Sequence, residues 1–199
     1  MNGCHAGRMA NFAAMRLLES DGRLNTPTRL LLGAVSGVHD DLLTAVRILP
    51  KEYNWLRFPW YATAKGGGAF VLGDRIYAHR RFFAPQASRA FLFMLAHEVG
   101  HLPHAAHFGF SGLGRTRFVL WAAGHYLRSA LRHGREAHRL ARIEQEAERG
   151  RWVLAALLNA TASDPPFQLL HAADAMRSWL QRHGELLSSL HRNYPGWRA

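Results

Sequence analysis

The sequence predicts a single α+β domain, predominantly helical, with one small β-sheet near its middle. Three observations carry this expectation. Helical periodicity dominates both ends, in "TRLLLGAVSGVHDDLL" and again from "RFVLWAAGHYL" to "GELLSSL". Between them, "TAVRILP" and "AFVLGDRIYAHRRFF" are rich in branched and aromatic residues, and the second folds back on itself around Gly73-Asp74. The chain of 199 residues, 48% hydrophobic, is long enough for one sizeable core and too short for two.

Taken in order, Thr26-Pro27 offers an N-cap with proline at the first helical position, inside N-terminal helices expected over about 9–42. The small sheet is expected over about 44–83, with strands at Gly68 to Leu72 and Arg75 to His79 after a break at Gly66, Gly67 and Gly68. Pro85 and Ser88 mark entry into the next helices, which run over about 86–160 with "SGLGRT" as a loop after Phe110 and "REAHRLARIEQEAERGRWVLAALLNA" as one helix. C-terminal helix is expected over about 165–192, with "FQLLHAADAMRSWLQRHGELLSSL" reading as one element. There is no internal repeat.

The lone Cys4 excludes an internal disulfide framework and a cysteine-rich zinc site, so a metal here must be held by His, Asp or Glu. No apolar run approaches the roughly 18 to 20 residues of a membrane helix, and the N-terminus lacks a signal-like core. The chain reads as soluble, with secreted, translocated and cytoplasmic placements all open. A net charge of +11 implies attraction to polyanions: nucleic acid, anionic lipid or an acidic protein. Its arginines are dispersed, without zinc-finger spacing or an RNA-binding aromatic motif, so a solvated basic surface is the simpler reading. The six tryptophans, including the pair in "YNWLRFPWY", read as packing rather than as a binding patch.

The segment "FLFMLAHEVGHLPHAAHFGF" carries the chemistry. An apolar run leads straight into His97, Glu98 and His101. Residues four apart share a helix face, so the two imidazoles can converge on one ion, and zinc accepts such ligands. Glu98 is then placed to take a proton from a metal-bound water. Without such a role, a carboxylate buried in an apolar helix would cost several kcal/mol. The third ligand has two candidates. His107 sits where the metzincin spacing would put it, but that pattern needs a turn-forming glycine where this chain has His104. Glu144, in "RIEQEAERGRW", is favoured: it has Ala147 as a small neighbour, and Glu148 lies one turn on, able to orient a ligand histidine from behind. Tyr126, His125 and His138 lie between the two segments and are weaker candidates for stabilising an oxyanion.

On "AFVLGDRIYAHRRFF", "LAHEVGH", "GLGRTRFVLWAAGHYLRSALRHG" and "HRLARIEQEAERG", residues Ala69 to about Arg151 resemble the HExxH zinc metallopeptidases of the gluzincin type. The likeness is to the small zincin domains of bacterial polymorphic toxins, secretion-system effectors and injection-system core proteins. It implies a zincin-like fold with the sheet beside the active-site helix. It also implies a Zn2+ cofactor held by His97, His101 and Glu144, Glu98 as general base, and a protein or peptide substrate. The chain departs from the pattern in having Glu148 where aspartate is usual. Three functions from different classes follow: a zinc endopeptidase of toxin or effector type, a zinc hydrolase acting on peptidoglycan stem peptides, and a non-catalytic basic binding domain.

Overall fold

Asn25, one residue before the expected cap, starts the first described helix: its side chain accepts from the Thr28 N–H at 2.9 Å, and Pro27 occupies the first turn. The computed structural model describes residues 17–51 and 68–196. Trp55, Trp60 and the rest of "YNWLRFPWY", with Trp197, lie outside the described residues. Helix α1 spans Thr26–Ser36 and ends at Gly37, whose φ of 74° is the left-handed conformation that glycine adopts without strain. A short α2, Asp40–Ala45, follows.

Strands β1 (Arg47–Lys51), β2 (Ala69–Leu72) and β3 (Arg75–His79) form one sheet in the order β1-β3-β2. The outer strand β1 runs parallel to β3 and tolerates Pro50, which lacks a ladder N–H. Between β2 and β3, Leu72 pairs with Arg75 across the two-residue turn Gly73-Asp74. Gly73 has φ 65°, positive as a tight hairpin turn of this kind requires. Alternation puts Ile48, Ala69, Val71, Ile76 and Ala78 on the buried side.

Helix α3 (Ser88–Glu98) contacts β2, α1 and the long helix α7 (Arg142–Ala160). Enclosure from several sides explains why "FLFMLA" is apolar all round. After α3 the chain tightens into a 3-10 turn, Val99–His101, and continues as α4, Leu102–Phe108, and α5, Gly112–His133. Short α6, Ala137–Leu140, precedes α7, and α8 (Ala173–Arg182) and α9 (Gly184–Asn193) complete the described chain. One cluster of buried apolar side chains extends from Leu17 to Leu187 and includes Trp179, with Trp121 and Trp152 packed against it.

The elements come in the predicted order of helices, small sheet and helices, but three local expectations change. "SGLGRT" is not a loop: Ser111 accepts from the Gly114 N–H at 3.1 Å and caps α5 at once. The stretch before Glu144 is not one helix, because Ala141 turns extended (ψ 130°) between α6 and α7. "FQLLHAADAMRSWLQRHGELLSSL" is likewise divided, into a 3-10 turn at Pro166–Leu169, α8 and α9.

Candidate metal centre

Two helices meet where side chains are smallest. A Cβ added at Gly100 would stand 2.6 Å from the Ala147 Cα, and one added at Gly150 would stand 2.2 Å from the Ala96 carbonyl oxygen. As α3 and its 3-10 turn advance from Ala96 to Gly100, their contacts on α7 fall from Gly150 to Ala147, so the helices cross antiparallel at near-backbone contact. Of these four residues only Ala147 stood out in the sequence. The others could have been read from the small-residue spacing of Ala96 with Gly100 and Ala147 with Gly150.

That contact carries Glu144 and Glu148 to the histidines. The extended Ala141 resets the helix so that Glu144 falls in the first turn of α7. From there its carboxylate lies 3.2 Å from His97 Nε2 and 3.7 Å from His101 Nε2, and one ligand atom from each of the three residues lies within 4.8 Å of the others. In a tetrahedral zinc site with bonds of about 2.0 to 2.1 Å, adjacent ligand atoms are roughly 3.3 Å apart. The spacing therefore suits a single cation. Two imidazole nitrogens and a carboxylate oxygen, mostly buried, are a donor set that can coordinate a divalent metal.

His97 faces carboxylates with both ring nitrogens, since Nδ1 is 3.1 Å from Glu148 Oε2. Arg151 Nε donates to the other oxygen of that carboxylate at 2.7 Å. An imidazole placed between two carboxylates holds a proton on each nitrogen unless a metal replaces one of them. Accordingly, although burial alone would lower its pKa, the hydrogen bonds to Glu144 and Glu148 raise His97 to about 10. Burial would raise Glu144, but His97, together with His101 and His138, holds it well below the usual carboxylate range. His101 goes the other way: burial and the positive His97 outweigh Glu144 and take it down to about 4, leaving the neutral ring that a metal needs. Glu98 is 7% exposed, and burial lifts its carboxyl to about 7.

The remaining candidates divide. Tyr126 reaches the centre from α5 and donates its hydroxyl to Glu144 Oε1, while His138 Nε2 stands 3.7 Å from the same oxygen with its ring stacked on Tyr126. His125 packs instead against Trp121. His107 is exposed beside Phe108, outside the cluster. Helix α4 carries straight through His104, whose ring is 2.9 Å from Glu146, and the positive-φ turn comes only at Gly109. His107 is therefore not brought back toward His97 and His101. Comparison of the chain with protein families, curated proteins and solved structures finds no match.

Proposed function

We propose that this chain is a zinc-dependent peptidase with His97, His101 and Glu144 as metal ligands and Glu98 as general base. The observation that carries the reading is the convergence of the three ligand atoms beside a buried glutamate that follows His97 directly in the chain. Zinc in this position would polarise a scissile carbonyl and bring its bound water toward a neutral pKa. Glu98, buried and next to His97 in the chain, would accept a proton from that water and pass it to a leaving amine. Glu148 fixes the His97 ring through Nδ1, so that Nε2 is presented to the ion. Tyr126 and His138, both at Glu144 Oε1, hold that carboxylate in place and are the candidates for donating to an oxyanion. The edge strand β2 packs against α3, where an extended peptide could add to the sheet in the manner of other strand-binding proteins.

The test joins metal content to hydrolysis. Purified protein supplied with zinc should hold one ion per chain and cleave members of a peptide library, with Glu98→Gln retaining the ion and losing the cleavage. Zinc-loaded protein that cuts no peptide but releases peptidoglycan stem peptides would redirect the substrate. Protein that binds no stoichiometric zinc would end the enzyme reading.

A further inference from the structure

Helix α5 is attached to the rest of the protein along one side only. Phe118 and Ser129 are buried on that side, whereas Leu113, Leu120, Leu127 and Leu131 are 68%, 67%, 63% and 82% exposed. Among the described residues, the large hydrophobic side chains left this open all belong to this helix, Val119 being the fifth. At about 100° per residue the four leucines fall within about 40° of one another, in a stripe about 27 Å long. A surface helix ordinarily turns polar residues outward, so a continuous apolar ridge marks an interaction surface.

The charge around the ridge is one-sided. Residues 112–135 contain no Asp or Glu, while Arg117 and Arg128 stand about 40 to 60° beyond the near edge of the leucine stripe, on one flank. Arg132 follows in the last turn of the helix and Arg135 in the 3-10 turn after it. None of these four arginines forms an ion pair among the described residues, unlike Arg115, which is held by Asp74 at 2.6 Å.

We propose that this ridge docks the protein on an anionic lipid surface, with the leucines at the acyl boundary and the arginines among the headgroups. Other occupants fit less well. A second copy would bring two sets of unpaired arginines together on chains that each carry +11. A strip about 27 Å by about 10 Å is only about a third of the ~800 Å² per partner of a standard protein interface. A bilayer sets no such threshold, because leucine insertion and arginine attraction add along a single helix. No described helix is long and apolar enough to cross a membrane, so α5 lies on the surface rather than spanning it. Tyr126, the α5 residue at the metal centre, is about 130° round the helix from the ridge, so docking leaves that centre uncovered. The inference does not depend on the peptidase reading.

Vesicle sedimentation tests it on the full chain. Wild type should bind vesicles containing phosphatidylglycerol and not vesicles of phosphatidylcholine alone. Leu120→Ser with Leu127→Ser should weaken binding by at least ~10-fold, since each buried leucine contributes more than that in full transfer. Arg117→Gln with Arg128→Gln should weaken it about fivefold for each cation removed. Circular dichroism should show each variant folded. If the central pair disturbs the helix, Leu113→Ser with Leu131→Ser near its ends gives the same reading. Wild type that ignores anionic vesicles overturns the proposal, as do leucine variants that bind undiminished, because attraction would then come from net charge alone. A concentration-dependent dimer, or binding to polyglutamate, that is lost with the same leucines would assign the ridge to a protein partner and equally overturn it.

Discussion

His97 is the residue on which the centre turns, because carboxylates stand at both of its nitrogens and one of the two protons they demand can be exchanged for a metal. A zinc ion bound there would displace that proton, so its affinity should rise with pH. In metal-free protein the raised His97 pKa contributes stability that is fully present below its unfolded value of 6.5 and is lost as pH rises through about 10. The melting temperature gained on adding zinc should therefore grow from pH 6 to pH 9. A gain that shrinks over that range would show that His97 is not the ligand displaced. Substitution separates the other roles: under a competing chelator Glu144→Ala should lose zinc by at least ~100-fold, while His107→Ala keeps it. Glu98→Gln should keep the ion and lower turnover by at least ~100-fold. The pairing of His97 with His101 was legible because it depends only on local helical geometry. That Glu144 and not His107 joins them depends on whether the chain turns at His104, and the absence of glycine there was the one local clue. The gathering of Tyr126 and His138 onto Glu144 was not legible, since both arrive from elements whose angle to α7 is set by packing.

At the scale of elements, the crossing of α3 and α7 decides whether the centre exists. Gly150→Ala would drive a Cβ against the Ala96 carbonyl and force the helices apart, at a cost of ~1–3 kcal/mol or more. Because Glu144 and the histidines sit on opposite sides of that crossing, the same substitution should weaken zinc binding in the folded fraction. Gly124→Ala is the control: nothing lies within 4 Å of its Cβ, and in the middle of α5 it should stabilise by about 0.5 to 1 kcal/mol without touching zinc. Denaturant melts and a zinc titration of the two variants would check both, and equal effects would remove the crossing from the account. The hairpin and the long helices were legible because glycine, proline and hydrophobic period announce them. The break at Ala141 was not, because alanine favours helix and nothing in its neighbours stops one. Serine at 111 and asparagine at 25 shifted helix starts because each could cap, and sequence alone did not choose between neighbouring polar residues.

Across the whole molecule, the candidate ligands lie along one contact within the core: His97 on α3, His101 on the 3-10 turn that follows it, and Glu144 on α7. Ala96, Leu95 and Leu92 on α3 and Val153, Leu154 and Leu157 on α7 all lie in the one buried cluster. Global unfolding must therefore separate Glu144 from His97 and His101, and a metal bound to all three should stabilise the entire fold rather than a loop. At a free zinc concentration 100 times the dissociation constant, mass action supplies about 2.7 kcal/mol. For a chain of this size that corresponds to a rise in melting temperature of roughly 5–10 °C. Calorimetry should show a single transition that moves upward with zinc and returns on chelation, while Glu144→Ala melts at one temperature with or without the ion. A zinc-dependent shift that survives in Glu144→Ala would place the ion elsewhere. Hydrogen exchange that slows only around α4, with the melting temperature unchanged, would mean that the α3 and α7 contact is not what the metal closes.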